Sequence, residues 1–254
     1  MFDPSKYTVP TARPLPVLLL LDTSGSMGGD KIDTLNSAVR QMLAAFSKEE
    51  GREVEVRVSI ITFGDRVERL QPFTPASAID FRDLTANGMT PLGTALRMAK
   101  DMIEDRTETP GRAYRPTVVL VSDGQPNDSW EEPLQDFIST GRSSKCFRWA
   151  MAIGADADKD VLRQFTAGME EPLFEAEQAS EIPKFFQLVT MSVTSRMKTA
   201  NPNLAPDLRA SLEGTAASMT VPSFEPPSQL PGSMPAGGAP GVSPPPADED
   251  NYYA

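Results

Sequence analysis

The chain has 254 residues, 35 acidic and 24 basic side chains, a net charge of −11, no histidine and a single cysteine, Cys146. The missing histidine excludes His-dependent catalytic triads, zincin motifs and His-ligated haem, and one cysteine excludes an internal disulfide framework or a multi-cysteine metal site. Net acidity leaves no general attraction for a phosphate backbone, so nucleic acid is not an expected partner.

The first apolar run, Leu15 to Leu21, is continuous and ends at Asp22. It is too short to span a membrane, which needs about 20 apolar residues. Lys6 and Arg13 precede it as in a signal peptide, but the run sits at or below the usual length of such an apolar region and no small-residue cleavage site follows. A cytoplasmic protein with no membrane partner is therefore expected. An uninterrupted run of this length suits a strand buried on both faces. Residues 32–46 place apolar side chains at helical spacing. Residues 54–63 are β-branched and end at Gly64-Asp65, a turn pair that returns the chain through a strand over 67–73 as a hairpin. Residues 92–103 read as a helix with Pro91 in its first turn. A second fully apolar strand covers 117–121. Residues 131–140 form a helix with Asp128 or Ser129 as its cap. Beyond it come a strand over 147–153, a short helix over 159–165, a brief strand over 173–175 and a long final helix over 182–197.

Helices interleaved with buried strands predict a doubly wound, Rossmann-like α/β fold. Its sheet should be mostly parallel, with one antiparallel edge strand and helices on both faces. The expected organisation is an extension over 1–12, one domain over 13–198 and a tail over 199–254. The tail holds 11 of the 24 prolines. It has too little apolar surface to offset its ordering entropy and is expected to be disordered.

In open α/β sheets, ligands gather beyond the carboxyl ends of the strands. Three loops begin there. The first strand runs into Asp22-Thr23-Ser24-Gly25-Ser26, whose oxygen side chains alternate along the chain. Thr90 stands in the Gly-flanked loop before a helix. Asp123 follows the second buried strand. Each has an ordinary reading: a Ser-rich turn, a helix cap and an Asp-Gly turn. Together they offer three hydroxyls and two carboxylates, hard donors suited to Mg²⁺, Mn²⁺ or Ca²⁺.

This set, Asp22-x-Ser24-x-Ser26 with Thr90 and Asp123, resembles the metal-ion-dependent adhesion site of von Willebrand factor type A domains. The resemblance covers about residues 13–198. It implies that both serines and the threonine ligate a divalent cation, most simply Mg²⁺, while the aspartates act largely through bound waters. It also implies that a partner protein supplies an Asp or Glu carboxylate to an open coordination position. The stretches 122–130 and 155–161 resemble the TerY branch of bacterial proteins. That branch is associated with tellurite resistance and stress, and is thought to work beside a kinase-like protein and a metal-dependent phosphatase. The expected function is accordingly a metal-dependent interaction module and not an enzyme. Alternatives are a partner subunit of an AAA+ ATPase or a Mg²⁺-dependent phosphatase. A phosphatase of the haloacid dehalogenase type needs a second Asp where Ser24 stands, and there is no P-loop.

Other features have plainer readings. Asp156, Asp158 and Asp160 mimic an EF-hand start, but Val161 and Ala167 occupy positions that need Gly and Glu, so a capped helix start is expected. Met27 and Trp130 lie beside the metal loops and are expected to pack rather than to form a docking rim. Cys146 is expected to be buried and unreactive.

Overall fold

The computed structural model describes residues 12–205, except 50, 52, 171 and 172. The proposed N-terminal extension, apart from residue 12, and the tail from 206 onward lie outside the described residues. Six strands form one sheet: β1 (Arg13–Asp22), β2 (Val54–Phe63), β3 (Val67–Pro75), β4 (Thr117–Ser122), β5 (Phe147–Ile153) and β6 (Phe174–Ala176). Five helices surround it: α1 (Asp30–Glu49), α2 (Leu92–Glu104), α3 (Glu131–Ser139), α4 (Lys159–Phe165) and α5 (Ile182–Lys198). The strand order is β3-β2-β1-β4-β5-β6. All neighbours are parallel except β2 and β3, so the antiparallel strand lies at the edge.

Two apolar layers sandwich the sheet, and β1 feeds both. Leu15, Val17, Leu19 and Leu21 point into the layer shared with α1 and α5. Leu18 and Leu20 point into the layer shared with α2, α3 and α4. Burial on both faces explains why this strand carries no polar alternation. After β1 the chain crosses to β2 on one side, and β4 is added on the other. The strand order therefore reverses at β1 and β4, and the loops leaving their carboxyl ends face a common crevice.

Two details fix those loops. Asn36, buried in α1, accepts the Leu84 N–H (2.8 Å) and donates to the Leu84 carbonyl (3.0 Å), pinning the irregular segment between β3 and α2. Gly93 lets the start of α2 lie directly against the loop before α3, because a Cβ there would collide with the Ser129 carbonyl oxygen and the Trp130 backbone. Gly93→Ala should therefore cost about 2–3 kcal/mol in denaturant unfolding, since the obstacle is backbone that cannot rotate away. The same substitution at exposed Gly111, where a Cβ meets nothing, should be nearly neutral.

At the opposite pole, Arg196 of α5 is buried and donates to the Pro202 carbonyl (2.7 Å) and to Thr117 Oγ1 (2.6 Å). Asn203 Oδ1 accepts the Arg115 N–H at 2.8 Å, so the chain stays bonded to the body just past α5.

Candidate metal centre

The turn after β1 is built around Asp22, which is fully buried. Asp22 Oδ1 accepts the Ser24 N–H at 2.8 Å, and Oδ2 accepts the Ser122 hydroxyl at 2.6 Å. These bonds turn the chain so that the two serine hydroxyls emerge on one side, with Ser24 Oγ and Ser26 Oγ 3.0 Å apart. Ser26 Oγ in turn donates to Asp123 Oδ1 at 2.7 Å, joining the β1 loop to the β4 loop.

Thr90 arrives from a third segment. The Gly25 N–H donates to the Gly88 carbonyl (3.0 Å), and the Asn127 N–H donates to the Thr90 carbonyl (3.1 Å), so this loop is tied to both of the others. Gly124 shows where the side chain ends up. A Cβ on Gly124 would stand 3.2 Å from Thr90 Oγ1 and 3.7 Å from Ser26 Oγ. Both hydroxyls therefore lie against the same face of Gly124, in space that only a missing side chain leaves open. All five residues singled out in the sequence, Asp22, Ser24, Ser26, Thr90 and Asp123, are thus brought to one place. Asp22, Asp123, Ser24 and Thr90 are buried, while Ser26 is exposed and opens the cradle to solvent.

The donor chemistry fits a hard divalent cation. The constellation offers oxygen only, from two carboxylates and three hydroxyls. Among the described residues, no three acidic, His or Cys side chains group as a metal cluster. A cation here would therefore depend on the serine and threonine hydroxyls. Burial pushes the Asp22 carboxyl up to about 6, against the lowering effect of its bonds from Ser122 and Ser24. A buried carboxylate held by neutral donors is a group whose charge a cation would relieve.

Two ordinary readings fail on geometry. Thr90 does not cap α2, because the N–H groups of Gly93 and Thr94 are taken by the Asp128 carboxylate at 2.8 Å each. Asp128 consequently does not cap α3, as its position just ahead of that helix suggested. Trp130 stands at that boundary with no side-chain cap, and Asp128 reaches back across the loop instead. Met27 is fully buried and Trp130 packs half-buried against the core, so both pack as expected. Met89, beside Thr90, is the large apolar side chain at the rim, 62% exposed. Asp158 caps α4 by accepting the Val161 N–H (3.1 Å), which accounts for the EF-hand mimic. Cys146 is buried, with its thiol pushed up to about 12.

Two residues at the site escaped the sequence reading. Ser122 resembles any small residue at a strand end, and only its bond to Asp22 gives it a role. Lys31 sits in the first turn of α1, and its Nζ lies 2.5 Å from Asp123 Oδ2.

The sequence profile of the von Willebrand factor type A domain matches residues 17–125. No curated protein matches the chain. Solved structures share its fold. One is a von Willebrand factor type A protein from Catenulispora acidiphila, at 16% identity and TM-score 0.58, covering 73% of this chain and 44% of that one. Another is proximal thread matrix protein 1 from the mussel byssus with a zinc-occupied MIDAS motif, at 16% identity and TM-score 0.56, covering 71% and 48%. A third is the vWF domain of the type V pili tip protein Mfa5 from Porphyromonas gingivalis, at 13% identity and TM-score 0.53, covering 76% and 99%. The chain thus spans about half the length of the first two. The profile match over residues 17–125 and the shared architecture support a von Willebrand factor type A fold.

Proposed function

We propose that this chain is a metal-dependent protein-interaction module. Ser24, Ser26 and Thr90 would hold a divalent cation directly, and Asp22 and Asp123 would hold it largely through water. Mg²⁺ is the first expectation, with Mn²⁺ or Ca²⁺ possible on the same hard donors. The cation, when bound, supplies a positive point to which a partner's Asp or Glu carboxylate can bind. The observation that carries this reading is the meeting of the Ser26 and Thr90 hydroxyls, from two separate loops, against Gly124 of a third, with Asp22 and Asp123 buried beside them.

On the same reading the protein is not an enzyme. The resemblance to the TerY branch suggests a cytoplasmic scaffold or regulator, with a kinase-like protein and a metal-dependent phosphatase as the partners to try first. No helix among the described residues is long and apolar enough to cross a membrane.

The test has two arms. Magnesium should raise the melting temperature by mass action, reversibly with EDTA. The immobilised chain should retain the kinase-like protein or the phosphatase in magnesium and release it on chelation. Retention that is indifferent to EDTA would reject the proposal.

A further inference from the structure

Lys31 is placed against the grain of its helix. It stands in the first turn of α1, where the helix dipole favours acidic residues and disfavours an ammonium. A solvated lysine would point away. Instead, Nζ lies 2.5 Å from Oδ2 of the fully buried Asp123, with the Lys31 side chain 31% exposed, and it also reaches the Ser26 carbonyl at 3.3 Å. Gly154, in the turn after β5, comes close enough that a Cβ there would sit 4.0 Å from Nζ. The ammonium thus fills a gap between the β1, β4 and β5 loops.

The two oxygens of Asp123 are divided. Oδ1 accepts from Ser26, on the side of the hydroxyl cluster, and Oδ2 accepts from Lys31. Lys31 therefore joins the site without occupying the space between the hydroxyls. Its effect is on charge. With Asp22 and Asp123 ionised, the site carries one net negative charge, and a divalent cation would make it net positive. Without Lys31 the loaded site would be neutral. We propose that Lys31 is a fixed internal cation of this site that weakens metal binding while strengthening the hold of the loaded site on an anionic carboxylate. This inference rests on the metal-binding reading above. It deepens that reading by naming the residue that sets the site's preference for an acidic partner.

Coulomb repulsion between an ammonium and a divalent ion a few ångströms apart, partly screened by solvent, amounts to roughly a tenfold change in affinity or more. Magnesium affinity measured by calorimetry should therefore rise about tenfold in Lys31→Met, and Lys31→Arg should stay near wild type. Acetate serves as the carboxylate probe. In the wild type it should tighten manganese binding, and by linkage this coupling should shrink in Lys31→Met and survive in Lys31→Arg. Because Lys31→Met leaves Asp123 buried without its ammonium, circular dichroism and melting in EDTA should first establish that it folds. Lys31→Gln, which keeps a hydrogen-bond donor without the charge, provides a second neutral variant. If both neutral variants bind magnesium as the wild type does, or more weakly, the proposal is overturned and Lys31 only positions Asp123. If the wild type binds no divalent cation, the metal-binding reading itself falls.

Discussion

Asp22→Asn should make the metal-free protein more stable at neutral pH, by about 2–3 kcal/mol, while erasing its thermal response to magnesium. Burial pushes Asp22 from an ordinary 3.8 up to about 6. The folded chain therefore holds this proton more tightly than the unfolded chain. The corresponding stability is fully present below about pH 4 and is lost as the pH rises through about 6. A shift of that size corresponds to about 3 kcal/mol. Above pH 6 the protein bears the full cost of an ionised carboxylate in a dry site. Asparagine keeps the geometry without the charge. Its oxygen can accept the Ser24 N–H, and its amide can donate to Ser122 Oγ, whose hydroxyl rotates. Denaturant unfolding in EDTA should show the gap between variant and wild type opening between about pH 4 and 6 and staying level above. An Asp22→Asn protein no more stable than wild type at pH 7 would mean that Asp22 is not held at a cost. The expected gain in stability would instead mean that the wild type keeps a destabilising charge for the sake of the site, a recurrent trade between stability and function.

The strands and helices were legible because burial on both faces leaves a plain signature. Leu15–Leu21 and Thr117–Val121 have no polar alternation to confuse with a surface strand, and β5 and α4 begin and end where their apolar spacing places them. The segment between β3 and α2 was not legible. Its position depends on Asn36, a residue on a distant helix whose amide replaces missing backbone partners, and no local pattern reports such a contact. The same limit governed the site. The candidate oxygen donors could be found because Asp22, Ser24, Ser26 and Asp123 lie at or just after strand ends, whereas Thr90, well past the end of β3, stood out only by its Gly-flanked loop before a helix. Asp128 was placed on the wrong helix because capping rules look forward along the chain, whereas here the carboxylate folds back onto Gly93 and Thr94. Lys31 was invisible for the opposite reason. A lysine near a helix start reads as solvated surface until its distance to a buried carboxylate is known.

Thr90→Ala should separate binding from folding. Thr90 contributes two things to the structure, and alanine keeps one of them. Its carbonyl accepts the N–H groups of Leu92 (2.9 Å) and Asn127 (3.1 Å), which fixes the loop and needs no side chain. Its hydroxyl caps nothing, because Asp128 already satisfies the start of α2. What alanine removes is the oxygen beside Gly124, together with one buried methyl group. In EDTA the variant should lie within about 1 kcal/mol of wild type. Magnesium affinity should fall at least about tenfold, because losing one neutral donor from an oxygen-only set leaves a coordination position that water fills without the protein's preorganisation. Carboxylate-dependent partner binding should fall with it, and Thr90→Ser should restore both by returning the hydroxyl. Thr90→Ala is therefore expected to behave as a folded protein permanently in chelator. Equal magnesium affinity in Thr90→Ala and wild type would place the cation away from the Gly124 cradle and leave Met89 and the neighbouring rim as the surface to examine for partner binding.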